Sequence, residues 1–198
     1  MRYISFFIAV CALAWTASDV RSQGTRDVRS LATTSGTGEG AGAPPSTLLI
    51  PVAGVTDAQL KNTFRERRGS GRTHQAIDIL APFGTPVVAA IDGRIRKLFT
   101  SKAGGITIYQ TDNAEEKIYY YAHLERYADG LREGMTISRG DVIGYVGTTG
   151  NAPPNTPHLH FAIMILPPTK EWWKGEAIDP YPLLTRRAGA TTRASVLR

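Results

Sequence analysis

From residue 48 onward the chain sets short apolar runs between polar or glycine-bearing turns, a rhythm of two rather than of 3.6. Residues 86–91 read as a strand, Asp92-Gly93 as a tight hairpin turn, and residues 94–99 as the returning strand. Residues 106–110 and 117–122 form a second pair, separated by the polar Thr111-Asp112-Asn113-Ala114. Residues 135–138, 142–146 and 158–166 continue the series, and residues 77–80 add one more apolar strand. Helical periodicity is weak everywhere except over residues 57–65. The pattern predicts a mainly β fold, a small antiparallel sheet or sandwich-like domain.

The ends have a different texture. Arg2, an apolar run over residues 3–15 and the small Thr16, Ala17 and Ser18 read as a secretory signal over residues 1–20. The run is shorter than the roughly 20 residues of a comfortable membrane span, so no stable membrane partner is expected beyond the export signal. Residues 21–47 hold Ser, Thr, Gly, Ala and Pro with almost no large apolar side chains, which predicts a flexible linker. That leaves residues 48–185 as the one domain with a core, and residues 186–198 as a basic tail. The single cysteine, Cys11, excludes a disulfide framework, and Ile8-Ala9-Val10 lacks the small residue wanted before a lipidated cysteine. A leader and a short stem without a wall-binding repeat point to the periplasm or cell envelope rather than to free secretion.

Charge narrows the function classes. The formal net charge is +6, but eight of the 23 Lys and Arg lie outside residues 48–185, against three of the 17 Asp and Glu. The domain keeps 15 basic and 14 acidic residues, a net of +1. A nearly neutral domain has no broad footprint for a phosphate backbone, so nucleic acid is not the expected partner.

Candidate chemistry is concentrated in the only four histidines, His74, His123, His158 and His160. Chance would give about 0.2 His-x-x-x-Asp and about 0.06 His-x-His matches, and the chain holds both, His74 to Asp78 and His158-Leu-His160. Two residues apart on a strand, His158 and His160 project from one face about 7 Å apart, which suits one metal ligand and one neighbour above the metal. On a straight strand His74 and Asp78 would stand about 13 Å apart, beyond the roughly 10 Å that two side chains span across a zinc ion. The segment must therefore bend, with His74 on a loop and Asp78 entering the strand. Two imidazoles and a carboxylate with an open position are the ligand set of a hydrolytic zinc site. The remaining histidines can supply a proton acceptor and a donor to a developing oxyanion. No serine-elbow motif, phosphate-binding glycine loop or thiol nucleophile competes.

His-x-x-x-Asp, then Tyr121-Ala-His123-Leu, then Pro157-His-Leu-His-Phe161 resembles the lysostaphin-type (LytM-like) zinc metallopeptidases, which cut peptidoglycan cross-bridges. The likeness includes Gly84-Thr85-Pro86-Val87, the run from Arg139 to Gly144, Gly147-Thr148-Thr149-Gly150 and Ile178-Asp179-Pro180. It implies that His74, Asp78 and His160 bind one Zn²⁺ per domain and that His123 and His158 act on water and transition state. It also implies a mostly antiparallel β domain with the site in a groove on one sheet. The expected activity is that of an exported zinc endopeptidase whose partners are peptidoglycan peptide stems. A non-catalytic LytM-like regulator and a zinc hydrolase of other proteins are the alternatives.

The chain departs from the family's pattern in three places. Ala76 stands where glycine is usual, Ala162 where a glutamate often follows His-Leu-His-Phe, and residues 151–157 are proline-rich. None removes a ligand. Arg65, Arg67, Arg68 and Arg72 either meet substrate carboxylates or form a solvated loop. Trp172-Trp173 reads as core cover more readily than as a stacking surface for sugar or peptide, and Tyr119 and Tyr121 as strand packing.

Overall fold

The computed structural model describes residues 48–185, so the expected leader (1–20), linker (21–47) and basic tail (186–198) lie outside the described residues. Nine strands are present among them: β1 (Ile77–Leu80), β2 (Pro86–Val88), β3 (Gly93–Ser101), β4 (Gly105–Asp112), β5 (Lys117–Tyr127), β6 (Thr136–Ile137), β7 (Val142–Val146), β8 (His158–Ile165) and β9 (Glu176–Ile178). All pairings are antiparallel, and the sheet runs β1-β8-β5-β4-β3-β6, with β7 joining β2 to β5 and β9 beside β8. Among the described residues, helix is confined to α1 (Tyr181–Leu184) and two 3₁₀ turns, Asp57–Gln59 and Gly69–Gly71. The fold is mainly antiparallel β.

The weak helical signal over residues 57–65 yields only the first of those turns. The Asn62 side chain takes the Phe64 N–H, and Arg65 turns left-handed at φ 70°. Both divert the backbone from a helix. Strand β5 also runs five residues past the end that the apolar pattern predicts, to Tyr127.

Alternation along the strands sorts the sheet into two faces. One is apolar and buried, with Ile77 and Ile79 of β1, Ile108 of β4, Tyr121 of β5 and Leu159, Phe161 and Ile163 of β8. Each such side chain stabilises the fold by about 1.5–3 kcal/mol relative to exposure. Tyr119 and Tyr121 both belong to this core. The Tyr121 hydroxyl donates to Gln110 Oε1 at 2.6 Å and accepts the Ala90 N–H at 3.0 Å, while Gln110 Nε2 donates to the Ile91 carbonyl at 2.6 Å. That satisfied buried network ties the β2–β3 connection to the sheet's centre. The other face carries the polar residues of the same strands, among them Asp78, His158 and His160.

Candidate metal centre and groove

Pairing of β1 with β8 sets the first two donors side by side, with Asp78 directly opposite His160 and Leu80 opposite His158. The third comes from the bent entry. Residues 65–74 fold back on themselves through Arg65 N–H to His74 O (2.8 Å), His74 N–H to Glu66 O (2.9 Å) and Arg68 N–H to Arg72 O (2.8 Å). This clasp lets His74 curl over β1 although Ala76 replaces the usual glycine; Ala76 itself is buried and keeps a negative φ.

The donor atoms then converge. His74 Nε2 lies 3.1 Å from His160 Nδ1 and 3.2 Å from Asp78 Oδ1, and the last two are 3.1 Å apart. Bonds of about 2 Å at tetrahedral angles place ligand atoms about 3.3 Å from one another, so the triangle fits one zinc-sized ion. The chemistry also fits, because two imidazole nitrogens and one carboxylate oxygen are ordinary zinc donors.

Outer contacts prepare these donors. The Thr63 carbonyl and Arg68 Nη2 both lie 2.9 Å from His74 Nδ1, which orients the ring with Nε2 facing the other two donors. The Thr63 hydroxyl accepts the Asp78 N–H at 2.9 Å, so one residue steadies two donors. Arg68 Nη2 pairs with Asp78 Oδ2 and leaves Oδ1 facing the other donors. Burial alone would raise the Asp78 carboxyl, but hydrogen bonds from the His160 and His74 rings, and their charge, hold it well below the usual carboxylate range. Burial pushes the His160 ring down.

His123 reaches the site by a distortion. Tyr121 and Leu124 both face the core, and strict alternation from Tyr121 would bury His123 beside them. Instead Ala122 and His123 together oppose Thr107, a β-bulge, with His123 left-handed at φ 61°. The bulge lies where β5 exchanges one neighbour for another: its pairing with β8 ends at Ala122 opposite His160, and that with β7 begins at Leu124 opposite Val146. The His123 ring thus sits 5.0 Å from His158 and 5.5 Å from His160, centroid to centroid.

Thr149 holds this arrangement from the β7–β8 connection. Its hydroxyl accepts the Ile106 N–H (3.0 Å) and donates to the Leu124 carbonyl (2.7 Å), backbone groups that flank the bulge. Its carbonyl accepts from His123 Nδ1 at 2.8 Å. Gly150 permits the close approach, since a Cβ there would lie 2.3 Å from the Gly105 nitrogen. His158 is held in the same way, its Nδ1 2.8 Å from the Thr156 carbonyl. Both rings therefore carry the proton on Nδ1 and keep Nε2 as an acceptor. Burial pushes His123 down to about 4, so the ring is neutral at physiological pH.

These side chains line a groove of about 470 Å³. Asn151, Pro153 and Thr156 line it, so the proline-rich segment borders the site, and Arg68 and Arg72 line it as well. Arg65 and Arg67 line the adjoining hollow beyond His74. All five residues singled out in the sequence, His74, Asp78, His123, His158 and His160, meet in one place. Thr63, Thr149 and Thr156 carry no such signal, because their carbonyls, and the hydroxyls of Thr63 and Thr149, find partners on segments distant in sequence or at the site only through the fold. Tyr120 was also not legible as a site residue; its ring stands edge-on to His160 at 6.1 Å. The expectation that Trp172 and Trp173 cover the core is corrected: both lie in the β8–β9 loop, outside the core, and Trp173 is 57% exposed.

An antiparallel β domain with two histidines and an aspartate converging beside two further histidines has the fold of a lysostaphin-type peptidase domain. Residues 72–180, more than half of the chain, match the sequence profile of Peptidase family M23, and the chain belongs to that family. It is 35% identical over 142 residues to the L-Ala–D-Glu endopeptidase of Bacillus subtilis, spanning 68% of this chain and 42% of that protein. It is 30% identical over 112 residues to the peptidoglycan DD-endopeptidase ShyC of Vibrio cholerae, spanning 54% of this chain and 25% of that one. The match thus covers less than half the length of these relatives. Among solved structures, the catalytic domain of lysostaphin from Staphylococcus simulans aligns with a TM-score of 0.55 and 29% identity, over 66% of this chain and 96% of that one. Csd3 of Helicobacter pylori aligns with a TM-score of 0.54 and 28% identity, over 71% and 33%.

Proposed function

We propose that this chain is an exported zinc endopeptidase that hydrolyses peptide bonds in the stems and cross-bridges of peptidoglycan. The observation that carries the reading is the donor triangle of His74, Asp78 and His160, 3.1–3.2 Å on each side, with the Nε2 atoms of two proton-accepting histidines on the same groove. A zinc ion held there supplies an acidified water and polarises the scissile carbonyl. His123, neutral and oriented by Thr149, takes the proton from the attacking water at Nε2. His158, fixed by Thr156, in its protonated form donates a hydrogen bond to the oxygen that gains charge, and the proton that His123 took from the water passes to the leaving amine. Arg68, paired with Asp78 Oδ2, keeps Oδ1 aimed at the other donors. The names of the relatives support the substrate class, and retention of all five residues favours a catalyst over a regulator that has lost its donors. The apolar run at residues 3–15 supports export to the periplasm or cell envelope.

The deciding experiment is mass spectrometry of muropeptides after intact sacculi are incubated with the zinc-loaded protein. New amino termini within stems or cross-bridges are expected, with none from Asp78→Asn. Stoichiometric zinc with untouched sacculi and untouched free muropeptides would sink the reading.

A further inference from the structure

A row of aromatic rings leaves the candidate metal centre and is used by nothing described so far. It begins at Tyr120, edge-on to His160, and passes to Tyr109, its partner across the β4–β5 ladder, at 4.7 Å between centroids. Tyr109 meets Trp172 edge-on at 4.6 Å; Trp172 in turn touches Phe99 at 5.7 Å and Trp173 at 5.3 Å. Tyr120 and Tyr109 lie on the face of the sheet that holds Asp78, His158 and His160, and the β8–β9 loop brings the two tryptophans onto the same row.

None of these five side chains belongs to the hydrophobic core, and the far end stays open to water: Phe99 is 42% exposed and Trp173 57%. An indole left in solvent forgoes stabilisation that burial would provide, and connected exposed aromatic surface marks a binding site. The fringe narrows the ligand. Apart from the tryptophans, residues 169–174 are Thr, Lys, Glu and Lys. Thr169 Oγ1 donates to Glu171 at 2.8 Å, and Lys174 Nζ donates to the same carboxylate at 2.9 Å. An apolar partner would bury these charged groups at a cost. A pyranose ring instead offers a C–H face to the aromatic surface and a rim of hydroxyls to the polar fringe.

We propose that the ledge from Tyr120 to Trp173 is a carbohydrate-binding surface that holds the glycan strand while its attached peptide enters the metal groove. The proposal rests on the peptidoglycan reading above and names the part of that polymer which the row contacts. Continuity with His160 is what assigns it to the substrate rather than to an unrelated partner: a polymer lying along the row is delivered to the donor triangle.

The test uses the full chain and peptide-free glycan strands, prepared by stripping stems from sacculi with an amidase. Titration calorimetry is expected to show binding by the wild-type protein, weakened about ten-fold by Trp173→Ala and largely restored by Trp173→Tyr. The ratio of sacculus cleavage to free-stem cleavage is expected to fall by a similar factor in Trp173→Ala. Absence of glycan binding, equal binding by Trp173→Ala, or Trp173-dependent binding of free stem peptides instead would overturn the proposal. A protein that binds glycan through Trp173 but cuts neither sacculi nor free stems would refute the endopeptidase reading and leave the ledge standing.

Discussion

Asp78 gathers more of the site's electrostatics than any other residue. One oxygen faces the two histidine donors and the other takes the Arg68 guanidinium. Asp78→Asn keeps the size and removes the charge, so it is expected to lose stoichiometric zinc. Cleavage should fall by more than the roughly 10–100-fold that loss of an outer partner costs, as checked by elemental analysis and muropeptide release. Thr63→Val probes that outer layer: the backbone carbonyl on His74 remains, but the Asp78 N–H loses its acceptor. Zinc affinity is expected to drop about 10–100-fold in competition with a chromophoric chelator, and an unchanged affinity would deny Thr63 its positioning role. At this scale the donor side chains were legible from residue type and spacing. Thr63 was not, because a carbonyl beside a ring looks the same in every residue and its hydroxyl meets the Asp78 N–H, fifteen residues on, only in the folded chain.

Among the elements, the bulge in β5 decides where His123 points. A two-residue alternation cannot place residues 121 and 124 in the core and 123 in the groove without one extra residue. Thr149 compensates the ladder around that residue by bridging Ile106 N–H and Leu124 O. Thr149→Ala should therefore destabilise the domain by about 1–3 kcal/mol in urea unfolding and lower cleavage further than that loss of stability explains. Thr149→Ser should recover most of both, and an equal loss in the two variants would show that the methyl group, not the hydroxyl, matters. The strand containing His123 was visible in the apolar pattern, but only up to residue 122. The bulge was not, because it depends on β8 and β7 competing for the same edge of β5.

For the whole domain, the site sits on one face of the sheet and the core on the other, so metal and fold are separable. Chelation at neutral pH is expected to abolish cleavage while leaving the far-ultraviolet circular dichroism of the β domain unchanged; collapse of the spectrum would show that the ion holds the fold. The metal-free protein should also respond to acid. The folded state holds His123 down at about 4, whereas an unfolded chain protonates it near 6.5. Stability from this group is full above about pH 6.5 and is lost as pH falls toward 4, because the unfolded state binds the extra proton. His160, also pushed down by burial, acts with the same sign, while the depressed Asp78 carboxyl contributes only to losses below about pH 3.8. The Tm of chelated protein is expected to fall between pH 6.5 and 4, and His123→Asn, which tolerates the left-handed backbone, should flatten that slope. Parallel pH profiles for the two proteins would refute burial of His123 as the cause.

What the chain determined by itself was local: period-two alternation, turn residues, and a set of donors whose types and spacing restrict the chemistry available. These are readable because strand alternation and metal preference are properties of single residues and near neighbours. Convergence was decided by tertiary structure. Only the pairing of Asp78 with His160, the clasp that returns His74 over β1, the bulge that turns His123 and the loop that lays Trp172 beside Tyr109 bring distant side chains together. Each depends on which strand edges and loops meet, which is a property of the packed whole.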